Sequence, residues 1–250
     1  MTFYESLDST LIENELICFV GAGGKTTSLF ILAKELKACK KRVLVTTTTA
    51  IYSPDENHCD QVILRAESSD VMKKRSDPCI CVLGREVTAE NKLLGVDREY
   101  VTTLFMEAVV DCILVEADGS RQRPIKAPAD HEPVIPNGTT KVVGVIGMDV
   151  LGRQICSDSV HRPEQFCRLT GRSMGDRIDE EMVAKLILAP EGLFKSVPDG
   201  SRNYVLFNKT DNRERKKSAV RIIELLTRDA PHLPDFILAD MFTGTISKVT

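Results

Sequence analysis

The sequence feature that most constrains the fold is a glycine-rich segment between an apolar run and an amphipathic one. Residues 16–20 are apolar, residues 21–27 read Gly-Ala-Gly-Gly-Lys-Thr-Thr, and apolar residues then recur at helical spacing over 26–39. A buried strand, a glycine loop and a helix in this order form the phosphate-binding unit of P-loop proteins. We therefore expect an α/β fold built around a nucleotide site.

Each residue type in this segment has a role in binding phosphate. Glycines permit positive φ and bring backbone N–H groups close to an anion, and the following helix adds the positive end of its dipole. Lys25 offers a cation to the outer phosphates, and Thr26 offers a hydroxyl to a bound Mg²⁺. The predicted phosphate site consists of Gly21, Ala22, Gly23, Gly24, Lys25, Thr26 and Thr27.

The segment departs from the full P-loop pattern, G-x-x-x-x-G-K-[ST], which requires a glycine where this chain has Phe19. The shorter pattern, G-x-x-G-K-T-T, resembles the phosphate loop of Mur-type ligases. The alternative is a glycine-rich turn without a ligand, but Lys-Thr-Thr at a helix start favours phosphate binding. The phosphate geometry of standard GTPases is therefore not expected to apply unchanged.

A strand that ends in two acidic residues supplies candidate metal ligands. Four apolar residues, 112–115, precede Glu116 and Asp118, and Gly119 follows. Hard cations such as Mg²⁺ prefer oxygen ligands of this kind. We predict that Thr26 and one of the two carboxylates hold the metal, although the spacing does not choose between them. An ordinary strand-end turn, which Asp-Gly also favours, is the alternative.

The threonine run 46–49 ends the second predicted strand, next to the first in sheets of this type. A hydroxyl there could reach Mg²⁺ or a γ-phosphate. Threonine is also simply a good strand residue, so the pattern leaves both interpretations open.

A second nucleotide motif follows a later strand. Asn208-Lys209-Thr210-Asp211 comes after the apolar run 204–207 and before a helix, and N-K-x-D in this position reads guanine in GTPases. The Asp211 carboxylate can accept hydrogen bonds from guanine N1–H and the 2-amino group, which adenine lacks. Asn208 can stabilise the loop, and the Lys209 stem can lie along the base. We expect GTP rather than ATP; a helix cap is the alternative.

The rest of the chain alternates between strand-like and helix-like segments. Predicted strands cover 16–20, 42–45, 61–64, 79–83, 112–115, 141–146, 204–207 and 236–238, and predicted helices cover 26–39, 68–75, 102–109, 163–169, 179–188 and 212–228. Such alternation predicts an α/β fold with a mostly parallel β-sheet flanked by helices, a P-loop NTPase-like three-layer sandwich. We expect a single domain over residues 1–250, with a long functional loop at about 119–137, where prolines and glycines are frequent.

Composition excludes several functional classes. The chain is 42% hydrophobic and 28% charged with a net charge of −3, so no basic field suggests a nucleic acid or a membrane surface as partner. Residues 2–14 lack the basic start and apolar stretch of a signal peptide, and we expect a cytoplasmic protein. The eight cysteines are scattered; we expect buried free thiols, with a metal or redox pair at Cys79 and Cys81 as the alternative.

The chain also resembles a known family. The phosphate loop, the threonine run, Lys126-Ala127-Pro128, His131-Glu132-Pro133, the segment 160–164 (Val-His-Arg-Pro-Glu) and the N-K-x-D motif occur in the same order in the YqeC family. Its members are described as accessory proteins of selenium-dependent molybdenum hydroxylases. The resemblance implies a role in maturation of such a hydroxylase or of its selenium-containing molybdenum cofactor, with a hydroxylase or a maturation protein as partner.

Basic and histidine residues follow the predicted metal carboxylates. Arg121, Arg123 and Lys126 can clamp phosphate or another anion. His131 and Glu132 can act as a general base pair or bind metal, and His161 with Arg162 forms a similar cluster. Solvated arginines and a histidine that only ties down a loop are the alternatives.

The leading hypothesis is a Mg²⁺-dependent nucleoside triphosphatase that hydrolyses GTP in cofactor maturation. Its predicted catalytic residues are Lys25, Glu116, Asp118, Lys126 and His131. An ATP- or GTP-dependent small-molecule kinase or ligase acting on an acidic acceptor is the second hypothesis. A nucleotide-gated carrier or scaffold without turnover is the third.

Overall fold

The computed structural model describes residues 1–8, 14–64, 77–229 and 233–249. The strands in this part of the chain are β1 (Glu15–Gly21), β2 (Val43–Thr47), β3 (Ala50–Tyr52), β4 (Gln61–Leu64), β5 (Ile80–Gly84), β6 (Glu86–Val87), β7 (Lys92–Leu94), β8 (Cys112–Glu116), β9 (Ile125–Lys126), β10 (Lys141–Gly147), β11 (Val160–His161), β12 (Arg202–Asn208), β13 (Asp235–Asp240) and β14 (Thr245–Val249). The helices are α1 (Phe3–Ser6), α2 (Lys25–Ala38), α3 (Arg98–Met106), α4 (Pro163–Thr170), α5 (Glu180–Leu188) and α6 (Arg213–Asp229), with a 3-10 turn at Met148–Val150.

A nine-stranded sheet forms the centre of the described structure, in the order β14-β13-β12-β10-β1-β8-β2-β5-β4. Its neighbours pair in parallel except at one edge, where β14 runs antiparallel to β13. Strands β3, β7 and β6 form a small antiparallel sheet, and β9 pairs in parallel with β11. The predicted mostly parallel sheet is confirmed.

The two faces of this sheet carry two separate apolar cores. Leu16, Cys18 and Val20 of β1 belong to the core that also contains apolar residues of α3, α4, α5 and α6. Ile17 and Phe19, which alternate with them, belong to the core formed with α1 and α2. Every residue of β1, β8 and β10 is buried, as expected for parallel strands covered on both sides. The result is the predicted α/β three-layer arrangement, consistent with a P-loop NTPase-like fold.

The sheet topology brings the predicted motifs to one edge. Strand β1 lies between β8 and β10, and β12 follows β10. Because parallel strands end at the same edge, the loops after these four strands lie together. Ligands of open α/β sheets bind at such carboxyl ends, where the strand order reverses direction.

Element boundaries differ from prediction mainly where short segments are involved. The helix predicted at 102–109 is α3, which begins earlier because Asp97 stands at its N-cap in extended conformation. The predicted loop at 119–137 contains the short strand β9, and the pattern did not reveal β3, β6, β7, β9, β11, β14 or α1. The predicted helix at 68–75 lies outside the described residues.

The eight cysteines are free thiols, as predicted, but only four of them are buried: Cys18, Cys79, Cys81 and Cys112. Cys39 is exposed, and Cys59, Cys156 and Cys167 are partly exposed, so the prediction of buried thiols is wrong for these four. Cys79 and Cys81 are buried, with their sulfur atoms 3.9 Å apart. Across the ranges that the structure describes, no group of three or more His, Cys, Asp or Glu side chains is arranged to hold a metal ion. None of the helices in those same ranges combines the length and apolar character needed to cross a bilayer.

Candidate functional site

The loop between β1 and α2 is held in place by its own backbone amides. The amides of Gly21, Ala22 and Gly23 donate to Asp118 Oδ2 (3.0 Å), the Val145 carbonyl (2.9 Å) and the Arg123 carbonyl (3.1 Å). These three donors therefore fix the loop instead of remaining open for a ligand. No side chain caps α2, so the first-turn amides of this helix are the donors left for an anion.

Gly23 and Gly24 are required by close packing at this point. Both have positive φ, and a Cβ on Gly23 would lie 2.2 Å from the Gly147 nitrogen. A Cβ on Gly24 would lie 2.2 Å from the side-chain nitrogen of Asn208. The glycines thus allow the loops after β10 and β12 to approach the phosphate loop.

Lys25 is buried and paired with carboxylates. Its Nζ donates to the Gly21 carbonyl at 2.7 Å and lies 3.0 Å from Asp118 Oδ1 and 3.7 Å from Glu116 Oε1. Burial opposes the charge, but Asp118 and Glu116 outweigh it and raise the pKa of the ammonium. The sequence predicted a cation for the outer phosphates, and the structure shows that this ammonium lines the cleft and is held between two carboxylates.

The structure distinguishes the two candidate metal carboxylates. Glu116 lines the cleft beside the phosphate loop, and its Oε2 accepts a hydrogen bond from the Thr26 hydroxyl at 2.7 Å. Burial raises the pKa of Glu116, against the charge of Lys25 and the Thr26 hydrogen bond. Asp118 is 1% exposed and is held by Gly21, Lys25 and Lys126 behind the loop. Glu116 is thus the carboxylate placed to meet a ligand in the cleft.

A chain of alternating charges continues behind the phosphate loop. Lys126 Nζ lies 2.9 Å from Asp118 Oδ2, donates to Glu132 Oε2 at 2.7 Å and donates to the Gly119 carbonyl at 2.7 Å. Arg162 donates to both oxygens of Glu132, at 2.7 and 3.1 Å. Lys126 and Glu132, assigned from sequence to phosphate or proton chemistry, instead connect Asp118 to Arg162.

This network makes a testable contribution to stability. Burial alone would raise the pKa of Glu132, but hydrogen bonds from Arg162 and the charge of Lys126 lower it to about 2. Because an unfolded Glu titrates near pH ~4.3, the stabilisation is complete above about pH 5 and is lost as the pH falls toward 2. We expect Glu132→Gln to lower the free energy of unfolding at pH 7 by on the order of 3 kcal/mol.

Urea unfolding of both proteins at pH 7 and pH 3 measures this effect, and the difference between them should shrink at pH 3. Glu191→Gln is the matched control, because Glu191 pairs with Lys195 at the surface and is 59% exposed; such pairs contribute little. A Glu132→Gln protein with the same acid dependence as the native protein would contradict the role given to this network.

The N-K-x-D motif joins three loops. Asn208 donates to the Gly23 carbonyl at 2.8 Å and accepts from the amides of Lys209 (2.8 Å) and Met241 (3.1 Å). It thereby ties the phosphate loop to the segments after β12 and β13. Lys209 lines the cleft and pairs with Asp149 at 3.0 Å. Sequence reasoning missed Asp149, since no motif marks it.

Asp211 lies at the surface and is paired within its own helix segment. Its Oδ1 accepts a hydrogen bond from Arg215, and this bond is the main cause of a lowered pKa of the carboxyl. Asp211 is half exposed and does not line the cleft in this conformation. The structure therefore does not place Asp211 beside the phosphate-loop residues, and its role in reading the base stays a prediction.

A cleft of about 860 Å³ connects these elements. The phosphate-loop residues 23–27 and Glu116 form one wall, and residues 119–123 with Lys209 form another. The small antiparallel sheet adds Tyr52 and Lys92, which no sequence pattern singled out. The volume is in the range of small-ligand sites.

Other sequence candidates lie away from the cleft. His131 is exposed and does not line it. The hydroxyls of Thr46, Thr47 and Thr48 donate to the carbonyls of Leu83, Glu116 and Val134. The first two hydrogen bonds join β2 to β5 and β8, and the third joins the residue after β2 to the loop at 119–137. These threonines therefore have the structural role that the sequence had left open.

Comparison with known proteins identifies the family. The family model described as YqeC protein matches residues 17–164, which include the phosphate loop and the Lys126–Glu132–Arg162 network. A protein of Escherichia coli (strain K12), named uncharacterized protein YqeC, is 36% identical over 211 residues, which cover 84% of this chain and 81% of that protein. The chain therefore belongs to the YqeC family.

Proposed function

We propose that the cleft binds a Mg²⁺–nucleoside triphosphate, with GTP as the preferred nucleotide, and hydrolyses it. One observation carries the proposal: the uncapped start of α2, the Lys25 ammonium and the Thr26–Glu116 pair face one cleft at the carboxyl edge of the sheet. Helix-end amides bind phosphate oxygens, and a buried cation stabilises charge on a transferring phosphoryl group.

The donors at Thr26 and Glu116 fit Mg²⁺. This ion prefers oxygen ligands and keeps several waters, so that proteins bind it through one or two carboxylates plus substrate phosphates. A hydroxyl and one carboxylate oxygen 2.7 Å apart provide such a partial set. When bound, Mg²⁺ would offset the negative charge of the outer phosphates.

Residues of this chain then bind the phosphates, stabilise charge and hold Lys25 in position. The first-turn amides of α2 bind and orient the phosphates, and Lys25 stabilises charge on the terminal group. Asp118 lies 3.0 Å from Lys25 and keeps it in position from behind. Lys126 lies 2.9 Å from Asp118 and holds that carboxylate in turn. Catalysis of phosphoryl transfer consists mainly of such positioning and charge stabilisation.

The base preference rests on the N-K-x-D motif and on its attachment to the site. Asn208 connects the motif to the Gly23 carbonyl at 2.8 Å, so a nucleotide on the phosphate loop would have its base near Lys209. Asp211 would accept hydrogen bonds from the guanine edge, which adenine does not supply. ATP is the alternative nucleotide.

The biological role proposed for this activity comes from family membership. We infer that hydrolysis drives or times the maturation of a selenium-dependent molybdenum hydroxylase or of its cofactor. Such a protein would turn over slowly alone and faster with its client, whereas a pure carrier or scaffold would bind nucleotide without turnover in either case.

A second candidate function, a kinase or ligase, is favoured by the basic surface beside the cleft, which contains Arg121 and Arg123. These guanidinium groups suit an acidic acceptor. Phosphate release that depends on an added acceptor would favour this function over simple hydrolysis.

The proposal predicts that nucleotide binding depends on Mg²⁺ and that Glu116 helps to bind this ion. We expect Glu116→Gln to raise the Mg²⁺ concentration for half-maximal nucleotide binding by about tenfold or more, since even outer-shell changes cost about 10–100-fold in metal affinity. Titration of Mg²⁺ against protein and a fluorescent GTP analogue measures this. Glutamine can still accept from Thr26, which preserves the local hydrogen bond.

Asp118→Asn is the comparison variant for this experiment. The Asp118 carboxylate lies outside the cleft, so the Mg²⁺ requirement of the Asp118→Asn protein should stay close to that of the native protein. The reverse ranking would transfer the metal role to Asp118, and a native protein that binds neither Mg²⁺–GTP nor Mg²⁺–ATP would refute the proposed function.

A further inference from the structure

A second, smaller pocket adjoins the nucleotide cleft. It has a volume of about 380 Å³ and is lined by Arg121, Arg123, Ser157, Val160, His161, Arg162, Pro163 and Glu164. Arg121 and Arg123 also line the cleft. The two cavities therefore share these two arginines as lining residues.

The charged groups of this pocket favour an anion. Three guanidinium groups line it, against one carboxylate, that of Glu164. Within the described part of the chain, Arg121 forms no ion pair, and Arg123 pairs only with Asp158, which is 88% exposed. Exposed pairs of this kind contribute little and are easily replaced by a ligand.

The remaining polar groups of the pocket are fixed by the fold. Val160 and His161 form β11, which pairs with β9, and the Ala127 amide donates to the His161 carbonyl at 3.1 Å. Arg162 is held by the buried Glu132 through two hydrogen bonds. Burial and the positive charges of Arg162 and Lys126 lower the pKa of His161 to about 4. The imidazole is therefore neutral at pH 7 and adds no charge that a ligand must match.

We propose that this pocket binds the oxyanionic group, phosphate or carboxylate, of a small second substrate, next to the terminal phosphate of the nucleotide. Arginine forks match both kinds of oxyanion, and the volume admits only a small molecule. The assignment as a substrate pocket rests on the proposed function, whereas anion binding itself follows from the pocket alone.

The network behind the phosphate loop connects the two sites. Arg162 contacts Glu132, Glu132 contacts Lys126, and Lys126 contacts Asp118, which lies 3.0 Å from Lys25. An anion that draws Arg162 toward the pocket weakens the hold on Glu132. The second substrate would thus change the environment of Lys25 without touching it.

Nuclear magnetic resonance of the full chain tests the pocket directly. The protein has four histidines, so ring-labelled histidine gives a simple spectrum in which His161 reports on the pocket. Inorganic phosphate and acetate are titrated separately at pH 7. We expect the His161 signal to shift with saturation, and the tighter of the two anions identifies the preferred oxyanion.

Two substitutions on the pocket wall sharpen the test. Ser157 is exposed, and Ser157→Glu adds a negative charge that should weaken anion binding about tenfold, whereas Glu164→Gln should strengthen it about threefold. Ser173→Glu is the matched control, since Ser173 is exposed and lines neither cavity. A His161 signal unmoved by both anions, or shifted equally in the Ser157→Glu protein, overturns the proposal.

Nucleotide binding, measured on the same samples, separates this inference from the proposed function. Binding of Mg²⁺–GTP without any His161 response refutes the pocket and leaves the function standing. A saturable His161 response in a protein that binds no nucleotide supports the anion pocket and refutes the proposed function.

Discussion

Replacement of Lys25 by alanine is expected to lower nucleoside triphosphate turnover by about 10²–10³-fold, the usual effect of removing one group that stabilises transition-state charge. Lys25 is 3% exposed, and its Nζ lies 3.0 Å from Asp118 Oδ1 and 3.7 Å from Glu116 Oε1. Steady-state phosphate release with Mg²⁺–GTP measures the loss. Unchanged turnover would remove Lys25, and with it the proposed phosphate site, from the mechanism.

The same substitution should also destabilise the fold, because it leaves a buried carboxylate with fewer partners. We expect a loss of about 3 kcal/mol, the lower end for a broken buried pair, since Asp118 retains Lys126 at 2.9 Å. The double variant Lys25→Ala with Asp118→Asn removes the uncompensated charge. The side-chain oxygen of the new asparagine can still accept a hydrogen bond from the Gly21 amide. The double variant should recover much of the stability but none of the turnover, which separates the catalytic loss from unfolding.

Replacement of Asp211 by asparagine is expected to exchange the base preference. GTP affinity should fall about 10–100-fold, because hydrogen bonds to a charged group contribute about 1.5–3 kcal/mol. Xanthosine triphosphate, which presents a carbonyl where guanine has its amino group, should bind better than it does to the native protein. Competition against a fluorescent nucleotide measures both affinities.

Arg215→Gln is the matched control for this substitution. It removes the surface pair between Arg215 and Asp211 but keeps the carboxylate, and exposed pairs at this spacing are worth only a few tenths of a kcal/mol. Its preference for GTP should equal that of the native protein. Equal affinities of the native protein for ATP and GTP would refute the guanine assignment.

The amino-acid sequence by itself determined the main parallel sheet and the helices that cover it. Apolar runs that are continuous in β1, β8 and β10 predict strands buried on both faces, because each face needs a covering layer. The phosphate loop was readable for the same reason: a strand, a glycine loop and a helix follow one another within one short segment.

The arrangement of the site was decided only by the tertiary structure. Thr26 donates a hydrogen bond to Glu116, which is 90 residues away in the sequence, and Asn208 donates one to the Gly23 carbonyl, which is 185 residues away. Asp118, two residues beyond Glu116, instead faces Gly21 and Lys126 and leaves the cleft. Local spacing cannot choose between the two acids, since the choice depends on which loops pack behind them.

The same reason explains why sequence reasoning assigned Lys126, Glu132 and Arg162 to chemistry. Their residue types suit catalysis, but in the fold they form ion pairs with one another. These ion pairs depend on the pairing of β9 with β11, and those strands are too short for a periodic pattern to reveal. The chemistry of each residue and the local periodicity can be read directly from the amino-acid sequence. Which charges neutralise one another, and which remain open to a ligand, is set by long-range packing.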